Sequence, residues 1–364
     1  MKILDCTIRD GGYINNWNFS KEQVKKTYEA CVKSKIEYCE IGFRRSKPDP
    51  KFGVWYHTPE DIIQETLGDV VSDTTKIVVM AQMGTFKLSD FLPRSQSLIS
   101  MVRVLVPYHC KDLNDELIDT DLLWRTVETV IELKFLGYET TVNVGRIDKL
   151  SQDQLEQCCR VLDNAKPDYL YVADTYGNLG LVKMNKILDT IKNVYSGKLG
   201  FHAHDNLLNA SVKTTDSTYH GVELVDGTMG GIGRGAGNAK TELLISHTIL
   251  CNQTKYDVLP CLEYIDEWIV PYKKSHVLYL ITGMYSMHVN YAIELIEKYN
   301  ETFQKSYEIL MTIYKNEKHS FFDPNYLEKL VKLSPNSEVS STVHVAPKNS
   351  AQSDNFLAIG DEKL

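Results

Sequence analysis

Eight short apolar runs recur along the first part of this chain, at residues 3–7, 38–43, 77–82, 101–106, 140–144, 169–173, 200–204 and 224–228. Many are rich in Val, Ile and Tyr, as strands buried on both faces tend to be. Amphipathic stretches separate them, with their own start signals. Ser20 followed by Gln23, and Ser151 followed by Gln154, have the spacing of a capping box. Thr58-Pro59-Glu60-Asp61 offers an N-cap, a proline for the first helical position and acids for the first turn. Eight strand–helix units in roughly 250 residues have the size and rhythm of a (β/α)8 TIM barrel. A doubly wound open sheet is the alternative, because periodicity alone does not show closure.

The pattern changes near residue 260. Residues 1–260 are expected to form the barrel, and 261–333 a C-terminal helical extension. Within the extension, Ala292, Ile296, Tyr299, Phe303, Tyr307, Leu310 and Tyr314 recur at three- and four-residue steps, the spacing of one helical face. The tail, 334–364, is Ser, Asn, Pro and charge with little to bury, and is expected to be disordered. No internal repeat is present.

Composition removes several function classes. The net charge is -8, against the basic face that nucleic-acid binding needs. A small anionic substrate needs only a local positive site. No apolar run approaches the ~20 residues that span a bilayer, and the first residues contain no apolar signal segment. The eight cysteines show no CxxC pair, which fits free thiols in a reducing compartment. A cytoplasmic protein, forming a homo-oligomer, is expected.

The chemistry-bearing residues cluster at the ends of the apolar runs, where barrel enzymes keep their active sites. His202 and His204, in FHAHDN, are one residue apart at the end of the seventh run. On a strand, alternate side chains share a side, so both imidazoles face one space. Arg9 and Asp10 end the first run, near the seventh in a closed barrel. The Gly11-Gly12 pair allows the backbone to deviate there and aim both at the barrel mouth. Two imidazoles and a carboxylate suit a divalent metal; the competing reading is a core histidine and a salt-bridged pair at the rim. Glu40 and Asp174 end the second and sixth runs and either face the site or brace it. After the eighth run comes a glycine-rich loop, DGTMGGIGRGAGN, read as opening a helix where backbone amides meet an anion. Its position in the last βα unit argues against a dinucleotide site. Asn238 within it either adds a neutral oxygen ligand or caps a helix.

Taken in order, DCTIRDGGY, YCEIGFR, VADTYGN, FHAHDN and DGTMGGIGRGAGNAKTE resemble the DRE-TIM metallolyases, in particular the 4-hydroxy-2-oxovalerate aldolases. The resemblance covers about residues 1–250. It implies a (β/α)8 barrel that binds Mn2+ or Mg2+ through Asp10, His202 and His204, with Arg9 as the catalytic arginine. Gly283-Met284-Tyr285-Ser286 resembles that family's GxYS segment, whose tyrosine lies in the active site. The family's helical domain also contacts an acylating aldehyde dehydrogenase; outside residues 283–286 this chain matches that domain poorly. A further departure concerns the acid/base: where those aldolases carry a histidine three residues after the metal aspartate, this chain has Tyr13. Tyrosine, with a pKa near ~10 against ~6.5 for histidine, is the poorer base at neutral pH.

The implied reaction joins or cleaves pyruvate, or a related 2-oxo acid, and an aldehyde through an enolate. Arg9 would steady the oxyanion, and Tyr13 or Tyr285 would handle the hydroxyl proton. Two rivals stand beside it. A Claisen-type acyl-CoA condensing enzyme of the isopropylmalate synthase kind shares a GAGN-like segment, and a non-catalytic binding barrel would keep the fold without the base. A lyase of the 3-hydroxy-3-methylglutaryl-CoA type is disfavoured, because the loop carries Arg234 and no cysteine.

Overall fold

In a computed structural model that describes residues 1–106, 119–251, 255–269 and 277–333, eight parallel strands close on themselves in the order β1 to β8. They are β1 Lys2–Asp5, β2 Tyr38–Phe43, β3 Lys76–Gln82, β4 Ile99–Val106, β5 Glu139–Val144, β6 Tyr169–Asp174, β7 Leu199–Ala203 and β8 Val222–Gly227. The pairing of β1 with β8, from Lys2 opposite Leu224 to Asp5 opposite Gly227, decides between barrel and open sheet. The tail 334–364 lies outside the described residues.

Helices cover the barrel. A single turn, α1 Thr7–Gly11, follows β1, and α2 Lys21–Lys33 and α3 Glu60–Leu67 flank β2. Then come α4 Thr120–Phe135, α5 Gln152–Leu162, α6 Leu181–Lys192, α7 Ala210–Tyr219 and α8 Thr241–Leu250. Both capping boxes form: the Ser20 and Ser151 hydroxyls accept from the amides of Gln23 and Gln154, whose side chains bond back. Each such cap stabilises its helix by ~1 kcal/mol. At α3 the start falls one residue later than the sequence pattern suggests. Thr58 has φ 47° and turns its hydroxyl back to the Trp55 carbonyl (2.8 Å), so Pro59 is the N-cap and Glu60 the first helical residue.

The period-2 alternation of the strands sorts the barrel interior into layers. Leu4, Cys6, Tyr38, Val78, Met101, Tyr169, Tyr171 and Leu224 form an apolar plug inside the barrel. Two residues further along, on the same inward register, stand Glu40, Arg103 and Asp226, all buried. Gly200 permits this layer. A Cβ there would lie 2.3 Å from the Tyr171 ring, whose hydroxyl reaches Asp226.

Beyond the barrel lie α9 Leu259–Tyr264, α10 Val277–Met284, α11 Asn290–Glu297, α12 Phe303–Lys315 and α13 Pro324–Leu333. The stripe from Ala292 to Tyr314 is therefore two helices, α11 and α12. The chain reverses at Asn300, φ 47°, so the three-and-four spacing continues across a break. Among them, Leu278, Tyr291, Leu295, Leu310, Ile313 and Leu327 make a second apolar core. Among the described residues, no helix is long and apolar enough to cross a membrane.

Asp5 sits fully buried at the end of β1, accepting from the Thr7 amide (3.0 Å) and the Thr241 hydroxyl (2.6 Å). Burial pushes its carboxyl up from the usual carboxylate range to about 6. A raised carboxyl pKa means the folded chain holds a proton that the unfolded chain has lost. Stability therefore falls as pH rises from about 4 through 6, by ~2–3 kcal/mol in all. Asp5→Asn, which keeps an acceptor for the Thr7 amide, is expected to remove this slope. Urea melts should show the variant more stable than the parent at pH 8 and no more stable at pH 4.

Candidate active site

Strand β1 stops at Asp5, and after Cys6 the chain coils into the five-residue α1 rather than continuing as a strand. Arg9 and Asp10 are therefore presented from a helical turn, not from a strand end next to Gly11-Gly12. Both are buried. The Arg9 guanidinium donates to Asp10 Oδ2 (2.5 Å) and, through Nε, to Glu40 Oε2 (2.7 Å).

Glu40 also accepts from Arg103 (2.9 Å), and Arg103 donates its other nitrogen to Asp226 (2.6 Å) while lying 4.3 Å over the Tyr171 ring. Asp226 in turn sits 2.9 Å from His202 Nδ1, and His202 Nε2 lies 3.4 Å from Asp10 Oδ2. A continuous chain of charge thus runs from α1 through β2, β4 and β8 to β7. Two guanidiniums face three carboxylates in it, so it carries one negative charge more than its arginines neutralise.

The two histidines behave differently although they share a strand end, with rings 5.0 Å apart. Burial works to lower the His202 pKa, but its hydrogen bonds with Asp10 and Asp226 outweigh it and raise the group. His204 feels the Asp10 charge, but burial outweighs it. Its Nδ1 lies 3.3 Å from the Gly237 carbonyl, and burial pulls it down to about 3. Burial also opposes ionisation of Asp10, yet Arg9 and the histidines hold its carboxyl well below the ordinary value. With Nδ1 held by Asp226 in His202 and by the Gly237 carbonyl in His204, the Nε2 atoms are the ones left to a metal, that of His202 shared with Asp10 at 3.4 Å.

The glycine-rich loop folds over this cluster. Gly237, at φ 93°, turns the chain so that its carbonyl accepts from His204 and from the Asp205 amide. The next residue, Asn238, forms a bridge to His204; its side-chain amide donates to Ile232, and its buried Oδ1 has no hydrogen-bond partner. Several loop amides are taken by the protein itself, Gly230 N by the Glu242 carboxylate and Arg234 N by Asp10 Oδ1. Helix α8 begins only at Thr241. The loop thus shapes the wall beside His204 and is not an open anion cradle at a helix start.

A cavity of about 340 Å³ opens above the cluster, lined by Arg9, Asp10, Tyr13, His202 and His204, among others. Glu40 and Asp174 are not in its wall. Glu40 braces Arg9, and Asp174 takes Lys213 and the amide of Asn178. Tyr285 does not line the cavity either. It packs against Tyr314 (4.8 Å) in the second apolar core, while three residues on His288 reaches the wall. His288, Ser320 and Phe321 come from the helical extension, so the extension roofs the site. Tyr13 is 43% exposed at the rim, and desolvation raises its hydroxyl above the ordinary value.

Sequence reasoning missed Arg103, Asp226, Arg146 and His288. A signal existed for the first two: each is a charged residue on the inward register of an apolar strand. Cys6 was missed as well; its thiol groups with Asp10 and His202 within 4.8 Å, but it donates to the Gly227 carbonyl and burial pushes it far up, which makes it a poor ligand.

The cluster thus lies at the carboxyl ends of the strands of a closed barrel, under a roof of helices, where barrel enzymes keep their active sites. The chain belongs to the HMGL-like family, which matches residues 1–258. It is 22% identical over 309 residues to a 4-hydroxy-2-oxovalerate aldolase of Geobacillus genomosp. 3, covering 82% of this chain and 88% of that one. It is 23% identical to an oxaloacetate decarboxylase of Mycobacterium tuberculosis, over 67% of this chain and 68% of that one. Among solved structures, the hydroxymethylglutaryl-CoA lyase of Pseudomonas aeruginosa superposes with a TM-score of 0.62 at 15% identity, over 78% of this chain and 97% of that one. The carboxyl transferase domain of Rhizobium etli pyruvate carboxylase gives 0.65 at 10% identity, over 91% of this chain and 61% of that one. These superpositions speak to the fold.

Removing one partner from a buried charge chain leaves the others uncompensated. Glu40→Ala strips the carboxylate from both Arg9 and Arg103, and is expected to cost ~3–5 kcal/mol in urea denaturation. Lys21→Ala, at the exposed pair with Glu65, should leave the midpoint in place.

Proposed function

We propose that this protein is a divalent-metal-dependent aldolase that makes or breaks the bond between the methyl carbon of pyruvate, or a related 2-oxo acid, and the carbonyl carbon of an aldehyde. The observation that carries this reading is the carboxylate in excess of the two arginines in the buried cluster, beside two histidines held through Nδ1 and the partnerless Asn238 Oδ1. Asp10, His202, His204 and Asn238 would hold the cation, and oxygen and imidazole donors of this kind suit Mn2+ or Mg2+. When bound, it would supply Lewis-acid stabilisation of negative charge on the oxygens of the 2-oxo acid.

The relatives' named activities fit a common intermediate. Cleaving 4-hydroxy-2-oxovalerate and decarboxylating oxaloacetate both leave an electron pair on the carbon that becomes the methyl group of pyruvate. The protein's own residues supply the rest. Arg9, fixed by Glu40 on one side and Asp10 on the other, turns a rigid guanidinium to the cavity and donates to the developing oxyanion without reorganising. The Tyr13 hydroxyl, protonated at neutral pH, delivers its proton to the alkoxide formed on addition and is then reprotonated from water at the rim of the cavity. Among the two tyrosines expected for that step, Tyr13 is the one at the cavity wall.

With Mn2+ and no aldehyde, the protein is expected to exchange the methyl protons of pyruvate for deuterium from D2O, followed by NMR. Metal bound without exchange would sink the aldolase reading. Tyr13→Phe is expected to lower kcat for aldol turnover by ~10²-fold or more.

A further inference from the structure

Two arginines follow β2, and the structure gives them opposite roles. Arg44 is buried and ion-paired: it donates to the Thr58 carbonyl (2.5 Å) and to the Glu60 carboxylate (2.6 Å). Arg45 is half-buried, and among the described residues no carboxylate pairs with it. Its guanidinium lies 4.0 Å from the centre of the Tyr56 ring and 5.0 Å from that of Phe43. Nη2 is 3.5 Å from Gln82 Oε1, a long contact, and the buried Nε has no hydrogen-bond partner. Two aromatic rings thus fix the place of a cation whose donors are unsatisfied, and such a partly desolvated charge is stabilised by an anion.

Arg45 stands in the wall of a groove of about 600 Å³ between the loops after β2 and β3, with Lys47, Tyr56, Phe86 and Lys87 around it. The two loops are tied together. Asp90 accepts from the Ser46 hydroxyl (2.5 Å) and the Lys87 amide (2.7 Å), and the Ser46 amide donates to the Thr85 carbonyl (3.1 Å). Asp49, also in the wall, accepts from the Lys51 amide (3.0 Å). These carboxylates serve backbone and hydroxyl donors, while the exposed Lys47 and Lys87 line the same groove as Arg45.

The groove adjoins the active-site cavity. Gln82, which Arg45 touches, lines that cavity. Tyr56 packs on Trp17 (4.7 Å), and Trp17 packs edge-on against Tyr13 (4.7 Å) in the cavity wall. One side chain on the β3 side and two rings on the β1 side separate Arg45 from the residues that would carry the reaction.

Resting on the aldolase reading, we propose that this groove binds a phosphate group on the aldehyde partner, an aldose phosphate whose carbonyl end reaches the cavity past Gln82. Arg45 supplies a planar fork of donors that matches phosphate oxygens, and Lys47 and Lys87 add point charges. A phosphate dianion accepts from more donors than a carboxylate does, so it makes fuller use of cations on both loops. No bond to phosphorus forms or breaks. The group is a handle whose binding energy serves the reaction at the far end of the molecule. Because the groove lies outside the cavity, a longer aldose gains more from its phosphate than a short one.

Paired aldehydes test this, each with pyruvate and Mn2+: ribose 5-phosphate against ribose, and glyceraldehyde 3-phosphate against glyceraldehyde. The expected result is a kcat/KM about a hundredfold higher for ribose 5-phosphate than for ribose, with a smaller ratio for the shorter pair. Arg45→Gln should cut the ribose ratio about tenfold, mainly through KM, with Arg45→Lys in between. Lys47→Gln and Lys87→Gln, both at exposed positions, should each cut it severalfold. Arg160→Gln, on the outer face of α5, should leave it in place. Equal turnover within the ribose pair overturns the proposal, as does a phosphate preference that the Arg45 variants leave untouched. Titration calorimetry with ribitol 5-phosphate, which has no carbonyl to react, separates the two levels. Binding that Arg45→Gln abolishes, with no pyruvate exchange in the parent, keeps the phosphate groove but removes the aldolase reading and the aldehyde with it. Pyruvate exchange without binding of ribitol 5-phosphate keeps the aldolase and removes this proposal.

Discussion

Arg103 is the residue on which the site's geometry hangs. A fully buried guanidinium is tolerated only with carboxylates against it, and Arg103 has two, Glu40 and Asp226, on different strands. Each of those carboxylates then orients a group that faces the cavity. Glu40 locks Arg9, and Asp226 fixes which nitrogen of His202 points outward. The positions of the arginine and the histidine are thus set from below, by an ion chain inside the barrel, rather than by the loops around them. Such a chain costs desolvation. Its stabilising value lies in specifying one arrangement, and the charge it leaves over is the feature a cation would complete.

Closure of the sheet makes this possible. In an open sheet β1 and β8 would be edges, and Glu40, Arg103 and Asp226 would lie along one face without converging. In the barrel the inward register brings them onto one level above the apolar plug that contains Met101, Tyr171 and Leu224. The helical extension then covers what the barrel leaves open. The Tyr176 hydroxyl donates to the Ser320 carbonyl (3.0 Å), and the Asn206 side-chain amide donates to Thr282 and to the Tyr279 carbonyl, so two βα loops are tied directly to the roof.

Much of this was legible in the sequence, because local physics wrote it there. The eight apolar runs, the two capping boxes and the HxH pair all follow from periodicities of two or 3.6. What was not legible depends on contacts far apart in the chain. Arg9 and Asp10 read as a strand end, since a single helical turn leaves no periodic trace over five residues. Tyr285 was expected in the site from its motif; the break between α11 and α12 and the packing on Tyr314 keep it in the second core and bring His288 to the cavity instead. Asp174 closes β6 as expected, whereas Glu40 stands within β2, three residues before its end, and whether such a carboxylate faces the cavity or braces a cation turns on partners up to 63 residues away. Arg103 had a visible signal, a charge in the middle of MVRVLV, whose partners only the closed barrel reveals.

The central claim is that Asp10, His202 and His204 hold a divalent cation beside Arg9, where an enolate would form. Crystals grown with Mn2+ and oxalate, a planar dianion shaped like the enolate of pyruvate, test it through anomalous diffraction at the manganese edge. The account predicts one strong peak bonded to Asp10 and to Nε2 of both histidines, with oxalate on the same ion and within hydrogen-bond reach of the Arg9 guanidinium. A peak elsewhere, or none at this site with Mn2+ present in the crystal, would contradict it.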